Sequence, residues 1–297
     1  MIENRFNKLP AVRLCLIILG LLAWVGPGHG AAPGPLPARD WNRRNLERIR
    51  VPAGHSLSFA VLGDNRGNPE VFGRVLRQLD RDPGLAFAID VGDIVERGTL
   101  EQFVEFFKQI QPYGRMPFLT AVGNHDLEKD QDLTLYREIF GPDYYAFPIK
   151  DHYFIVVNDA EPNGVGEPQW LWLEGELKKS QSYKTRLVFL HTPLFDPRGG
   201  DKHHCLPEAA GRRLAALLRQ YQVTHIFAGH IHSYFSGNWD GVPYTITGGA
   251  GAPLYGTDPE HFFHHYLKVT LQAGEVHVEV QRIKAAGDHY PYDRIDR

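Results

Sequence analysis

The chain carries Gly63-Asp64-Asn65-Arg66-Gly67 directly after an apolar run, and a similar arrangement recurs at Gly92-Asp93 and at Gly123-Asn124-His125-Asp126. Two histidine segments follow, His191-Thr192-Pro193 and Gly229-His230-Ile231-His232. Each segment places a carboxylate, an amide or an imidazole beside a glycine or at the end of an apolar run. Oxygen and imidazole ligands together suit Zn, Fe or Mn better than Ca or a thiolate site. The five segments therefore predict a metal centre.

Apolar runs alternate with helical patterns around these segments. Apolar runs predict strands at 57–62, 85–91, 118–122, 153–157, 186–190 and 225–228, and hairpin signals predict four more at 234–239, 242–247, 263–271 and 275–283. Helices are expected between the early strands, one of them opened by a capping box of Thr99 and Gln102. Strands interleaved with helices, followed by a run of strands, predict an α/β fold: a four-layer αββα sandwich of two mixed β-sheets flanked by helices.

The polar residues of the five segments follow the ends of predicted strands. Functional groups of open α/β sheets gather beyond the carboxyl ends of the strands. We therefore expect these side chains to meet on one rim, where the preceding glycines allow sharp turns and close backbone approach. The residues are Asp64, Asp93, Asn124, His191 and His230.

The five segments, in this order, resemble the calcineurin-like metallophosphoesterase superfamily, which includes purple acid phosphatases and Mre11-type nucleases. The resemblance spans residues 63–232 and extends more weakly to about residue 283. It implies two divalent or trivalent metal ions, Mn, Fe or Zn, with the identity left open. It also implies hydrolysis of small-molecule phosphomonoesters or phosphodiesters by a hydroxide, which forms when the metals acidify a bound water molecule.

The resemblance also gives a role to each metal ligand. Asp93 is expected to bridge the two ions, and Asp64 and His232 to complete the first of them. The second ion is expected at Asn124, His191 and His230.

Two residues outside the ligand set are expected to act in catalysis. By the resemblance, His125 donates a proton to the leaving oxygen or contacts the phosphate. Asp126, its neighbour in the chain, is expected to orient that imidazole and to raise its pKa.

Arg66 departs from the family pattern. Many members carry Asp-x-His in the first segment, with the histidine as a ligand of the first metal, but a guanidinium has no lone pair to give. Purple acid phosphatases supply a tyrosine three residues after the second Gly-Asp, where this chain has Glu96. The first metal is therefore short of a ligand. Arg66 is expected either to clamp a substrate phosphate or to be a spacer, and we favour the clamp.

The N-terminus has the pattern of a secretory signal. Arg5, Lys8 and Arg13 precede an apolar run at 14–25, and Gly28-His29-Gly30 offers small residues for cleavage. Twelve residues are too few for a membrane span, which needs about 20, although an uncleaved anchor is the alternative. The sequence thus predicts a secreted or periplasmic protein without a stable membrane span after cleavage.

The predicted domain boundaries follow from these signals. Residues 1–30 form the signal peptide, 31–56 an extended lead-in, 57–283 the metallophosphoesterase domain and 284–297 a charged tail. The formal net charge of −3 and the absence of a basic stripe do not indicate a nucleic-acid partner. The oligomeric state is not indicated.

Two other functions are compatible with the same fold. A purple-type acid phosphatase is one, but the missing tyrosine argues against its iron site. A non-catalytic metal-binding scaffold is the other, and the retention of His125 and of every ligand of the second metal argues against it.

Overall fold

The protein is described by a computed structural model over residues 35–51, 54, 56–162, 164–199 and 204–284. Its helices are α1 (Trp41–Leu46), α2 (Pro69–Arg81), α3 (Leu100–Ile110), α4 (Thr134–Phe140), α5 (Glu167–Lys179) and α6 (Glu208–Gln220). Its strands are β1 (Leu57–Leu62), β2 (Leu85–Asp90), β3 (Phe118–Thr120), β4 (Tyr145–Ile149), β5 (His152–Val156), β6 (Thr185–Phe189), β7 (His225–Ala228), β8 (Tyr234–Trp239), β9 (Val242–Thr247), β10 (His265–Gln272) and β11 (Glu275–Arg282).

The strands form two mixed sheets. The first has the order β11-β10-β1-β2-β3, with β1, β2 and β3 parallel, β10 antiparallel to β1 and β11 antiparallel to β10. The second has the order β4-β5-β6-β7-β9-β8, with a parallel centre and an antiparallel strand at each edge. Because the inner strands of each sheet are parallel, their carboxyl ends lie at the same edge of that sheet.

The two sheets pack against each other through aromatic side chains. Phe59 and Phe87 of the first sheet lie with ring centroids 5.0 Å apart, and Phe154 of the second sheet packs edge-on at 5.4 Å from Phe59. One buried cluster joins both inner faces. Separate clusters lie under α2, α3 and α4 on one side and under α5 and α6 on the other. The four-layer αββα sandwich predicted from the sequence is confirmed.

Local sequence signals explain where the helices begin. The Asn68 side chain accepts hydrogen bonds from the backbone N–H groups of Glu70 and Val71, and Pro69 occupies the first position of α2. Thr99 caps α3, but the capping box predicted there is only half formed. Gln102 accepts its hydrogen bond from the backbone N–H of Arg97 instead of that of Thr99.

The lead-in predicted to be extended over 31–56 contains helix α1. Its residues Trp41 and Asn42 anchor it to β3, an edge strand of the first sheet: the Trp41 indole N–H donates to Phe118 O, and Asn42 hydrogen-bonds the backbone of Thr120. These partners are distant in the chain, so local sequence patterns do not reveal them. The helix covers an edge that would otherwise present unpaired backbone groups.

Strand β4 was also missed by the sequence analysis. It contains Pro148, which lacks a backbone N–H and is tolerated here because β4 is an edge strand. The predicted signal peptide and all of the predicted tail except Lys284 lie outside the described residues. Among the helices of the described segments, none is both long and apolar enough to span a membrane.

We expect Asn42→Ala to lower the free energy of unfolding by about 1–3 kcal/mol, because it leaves the buried backbone N–H of Thr120 without its acceptor. Arg43→Ala, on the exposed face of the same helix, should change it by no more than about 0.5 kcal/mol. Urea denaturation of both variants measures the difference. Equal effects would contradict this account of how α1 is anchored.

Candidate metal centre

The ends of five strands bring the predicted ligands to one rim between the two sheets. Asp64, Asp93 and Asn124 follow β1, β2 and β3 of the first sheet, whereas His191 follows β6 and His230 follows β7 of the second. Ligand atoms of Asp64, Asp93 and His191 all lie within 4.8 Å of one another. These three residues are at most 1% exposed. The site is therefore formed only when both sheets pack together.

Three of the predicted ligands have left-handed backbone conformations. The φ angles are 56° at Asp64, 61° at Asp93 and 65° at His230. Such a conformation costs a residue with a side chain roughly 1–2 kcal/mol, and it tends to persist at functional sites. Hydrogen bonds within the site support it, since Asp64 Oδ2 accepts from the backbone N–H of His230 at 2.8 Å. The backbone is thus held in an unfavourable left-handed conformation at three residues whose side chains meet at the site.

Glycines let the backbone approach these carboxylates. A Cβ placed on Gly123 would lie 2.4 Å from Asp93 Oδ1, and one placed on Gly248 would lie 2.9 Å from Asp64 Oδ2. Both distances are too short for a side chain. Glycine at these two positions therefore brings the backbone close to the site.

His191 Nε2 lies close to each of the other three ligands predicted for the second metal. It is 3.1 Å from Asn124 Oδ1, 3.3 Å from Asp93 Oδ1 and 3.2 Å from His230 Nδ1. Ligand atoms that share one ion at bonds of about 2.1 Å lie roughly 3 Å apart, so each of these three distances suits a shared ion. His191 Nδ1 is 3.0 Å from the carbonyl oxygen of Val91, which can only accept a hydrogen bond. The proton therefore sits on Nδ1, and the Nε2 lone pair is available to a metal.

The charge state of the histidines also suits a cation. Burial, with a smaller effect of His191, lowers the pKa of His230 to about 4, so that imidazole is neutral near pH 7. Burial also opposes protonation of His191. The carboxylates of Asp93 and Asp64 nevertheless outweigh it and raise the pKa of His191. The same carboxylates would attract a metal ion.

The position of the first predicted metal has three candidate ligand atoms. Asp64 Oδ1 and His232 Nε2 are 3.3 Å apart, and His232 Nδ1 lies 2.7 Å from the carbonyl oxygen of Pro253, which leaves Nε2 with a lone pair. Asp93 Oδ2 is the third. Asp64 Oδ1 is buried and has no hydrogen-bond partner among the described residues. A buried carboxylate oxygen without a hydrogen-bond partner is consistent with a cation binding beside it.

Arg66 lies against this first position. Its Nε donates to Asp93 Oδ2 at 3.2 Å, its Nη1 donates to Glu96 Oε2 at 2.6 Å, and its Nη2 is 3.4 Å from His232 Nε2. The Arg66 side chain is only 8% exposed. Glu96, which stands where purple acid phosphatases have their tyrosine, is thus an ion-pair partner of Arg66 on the rim.

The role predicted for Asp126 is wrong. Its carboxylate accepts hydrogen bonds from four backbone N–H groups, those of Gly123, Asp93, Ile94 and Val95. His125 instead places its Nδ1 2.9 Å from the carbonyl oxygen of Glu96. Asp126 therefore fixes the backbone that carries Asp93 and does not orient the imidazole of His125. The sequence could not show this, because three of the four partners lie 31–33 residues away.

Two further buried carboxylates position the site, and the sequence analysis did not identify them. Asp159 accepts hydrogen bonds from the backbone N–H groups of His191 and Thr192. Asp90, the last residue of β2, accepts from the Asn65 amide and from the backbone N–H of Gly92. The sequence marks these two residues only weakly: each is an aspartate near the end of an apolar run, and neither follows a glycine.

The site opens into a cleft of about 430 Å³. Arg198 and His204 form part of the wall of the cleft, and the Arg198 guanidinium is paired with Asp196. Tyr255 lies on the rim, with its ring stacked on His232 at a centroid distance of 5.0 Å. The full lining is Arg66, Asp93, His125, Arg198, His204, His230, Ile231, His232 and Tyr255.

Comparison with known proteins identifies phosphoesterases with similar sequences and folds. A phosphoenolpyruvate phosphatase of Allium cepa is 29% identical over 46% of this chain and 32% of its own length. A probable glycerophosphodiester phosphodiesterase, GpdQ, of Arcobacter nitrofigilis is 29% identical over 65% of this chain and 74% of its own. The purple acid phosphatase PPD1 of yellow lupin has a similar fold, with a TM-score of 0.60 and 16% identity, over 76% of this chain and 51% of the lupin chain.

The chain spans about a third of the onion relative and half of the lupin structure. The family model of the calcineurin-like phosphoesterases matches residues 57–234, more than half of the chain. This match confirms the resemblance carried by the five motif segments, and the chain belongs to the calcineurin-like phosphoesterase family.

Proposed function

We propose that this protein is a metal-dependent hydrolase of phosphoesters whose metal is held by Asp93, Asn124, His191 and His230. The observation that carries the proposal is the position of His191 Nε2, which has three further ligand atoms at 3.1–3.3 Å. A metal bound there would polarise a phosphoryl oxygen and acidify a water molecule. Mn, Fe and Zn all suit this set of oxygen and nitrogen ligands.

His125 is proposed to supply the proton for the leaving group. Because its Nδ1 faces the carbonyl oxygen of Glu96, Nδ1 carries a hydrogen, and Nε2 is the nitrogen left to exchange a proton with the substrate. His125 lines the cleft beside Asp93, and its backbone N–H donates to Asp93 Oδ1 at 2.9 Å. The residue can therefore reach a substrate in the cleft without being a ligand.

The proposed substrates are small phosphomonoesters or phosphodiesters. The relatives carry names of both kinds, a phosphatase and a phosphodiesterase. A cleft of about 430 Å³ falls within the size range of small-molecule sites. Two arginines, Arg66 and Arg198, line it together with imidazoles, and this lining suits an anionic substrate.

We also propose that the protein is exported. The proposal rests on the n-region, apolar run and small-residue site within residues 1–30. Metal supply outside the cytoplasm would then decide which ion fills the site.

Metal removal should abolish activity. We expect a chelator to stop hydrolysis of p-nitrophenyl phosphate or bis-p-nitrophenyl phosphate, and Mn, Fe or Zn to restore it. His191→Ala should lose both the bound metal and the activity, because it removes the ligand to which the others are closest. His277→Ala, on the exposed edge strand β11, is the matched control. Full activity of the metal-free protein would refute the proposed function.

His125→Ala should separate chemistry from metal binding. We expect kcat for alkyl phosphates to fall by about 10²–10⁴-fold, the usual contribution of general acid catalysis, with metal content unchanged. Aryl phosphates should lose less, because their leaving groups need no proton. The comparison of kcat for the two substrate classes is the measurement. An unaltered rate with alkyl phosphates would remove His125 from the mechanism.

Export should be accompanied by cleavage. We expect the full chain, expressed in a bacterial host, to yield an extracytoplasmic product whose sequence begins at Ala31. Ile18→Arg, which interrupts the apolar run, should prevent export. N-terminal sequencing checks both forms. A membrane-bound product that begins at Met1 would favour the uncleaved anchor instead.

A further inference from the structure

We infer that the guanidinium of Arg66 takes the place of the first metal of this family, so that the centre holds one metal ion per chain. The inference rests on the proposed metal-dependent function of the same site. The ion lies with Asp93, Asn124, His191 and His230. His232, a ligand in the two-metal arrangement, here faces the guanidinium with its Nε2 3.4 Å from Arg66 Nη2. Asp64, the other such ligand, makes no hydrogen bond to Arg66, and its Oδ1 has no hydrogen-bond partner among the described residues.

The hydrogen bonds of Arg66 use the lone pairs that a first metal would need. Nε donates to Asp93 Oδ2, the oxygen that faces away from His191, and Nη2 points at His232 Nε2. A guanidinium stays protonated and offers only donors. A metal could bind Asp93 Oδ2 and His232 Nε2 only after Arg66 had moved away.

The position of Arg66 is fixed by an ion pair that the metal centre itself does not require. Glu96 binds the outer edge of the guanidinium through Oε2 at 2.6 Å, while Asp93 binds its inner edge. Gly67 follows Arg66 with a φ of 84°, and a Cβ there would lie 3.0 Å from Glu96 Oε1. The turn therefore leaves room for the carboxylate that holds Arg66 in place. With 8% of its side chain exposed, the arginine is part of the wall of the site.

Electrostatic repulsion also opposes a second ion. Asp93 Oδ2 and Glu96 Oε2 are already paired with Arg66. A second divalent metal at the first position would lie beside a buried guanidinium, where effective screening is weaker than in water.

Arg66 does not form a hydrogen bond with Asp64 Oδ1. This oxygen lies 3.3 Å from His232 Nε2 and is buried without a hydrogen-bond partner among the described residues, whereas Asp64 Oδ2 accepts from the backbone N–H of His230. Removing the guanidinium frees Asp93 Oδ2 and His232 Nε2 beside this oxygen. The free atoms then form a three-ligand position, and Arg66→His adds a fourth.

Metal stoichiometry tests the inference directly. We expect the wild-type protein, titrated with Mn²⁺, to bind one ion per chain and to give the six-line electron paramagnetic resonance spectrum of an isolated Mn²⁺. Arg66→His should bind two ions and give the spectrum of an exchange-coupled pair. Arg198→His, which changes an arginine in the same cleft that is paired with Asp196, is the matched control and should keep one ion.

Substitution of His232 adds a second test that does not depend on activity. His232→Ala should leave one bound Mn²⁺ in the wild-type background, but it should reduce two ions to one in the Arg66→His background. Should Arg66→His fail to fold, Arg66→Ala removes the guanidinium without adding a ligand. That variant should bind a second Mn²⁺ at least about tenfold more tightly than the wild type does.

Two coupled Mn²⁺ ions in the wild-type protein would overturn the inference, although the proposed hydrolase function would stand. Failure of both Arg66 variants to gain a second ion would overturn it as well. No metal binding by the wild type at all would instead refute the proposed function, so the two failures are distinguishable.

Discussion

The site depends on the burial of negative charge. Asp64 and Asp93 are almost completely buried at the point where the two sheets meet, and an ionised carboxylate is stable there only with a positive partner or several donors. Arg66 and backbone N–H groups are such partners here, and the proposed metal would be another. The left-handed conformations of the ligand residues and the glycines that face them follow from the need to bring these groups so close together.

A second layer of contacts determines which atoms can bind the metal. The carbonyl oxygens of Val91 and Pro253 fix the tautomers of His191 and His232, so that each presents a lone pair on Nε2. The Asp126 carboxylate holds two backbone segments together, because it accepts hydrogen bonds from the N–H of Gly123 and from those of residues 93–95. Burial and the nearby charge of Asp93 raise the pKa of Asp126, and the hydrogen bonds partly offset this rise. A carboxylate that the motif suggested for catalysis thus serves to position the ligands.

Arg66 distinguishes this chain from the usual pattern of its family. A guanidinium supplies positive charge and hydrogen-bond donors, but it cannot acidify a water molecule as a metal does. Under the one-metal proposal, an ion held at His191 would acidify the water, and Arg66 would stabilise negative charge on phosphoryl oxygens. This role would explain why Glu96 lies beside Arg66, since its carboxylate keeps the guanidinium directed into the site.

The sequence alone determined the sandwich fold and the family, and it predicted the types of ligand. Periodicity identified nearly all of the strands, and polar residues at strand ends such as Asp64, Asp93 and His230 marked the rim, because parallel strands bring their carboxyl ends to one edge. Only the tertiary structure decided the rest. Helix α1, the distribution of the two late hairpins between different sheets, the backbone contacts of Asp126 and the ion pair of Arg66 with Glu96 all depend on partners distant in the chain. Local patterns cannot specify such partners, because side-chain hydrogen bonds of this kind are fixed only when the two sheets and their loops pack together.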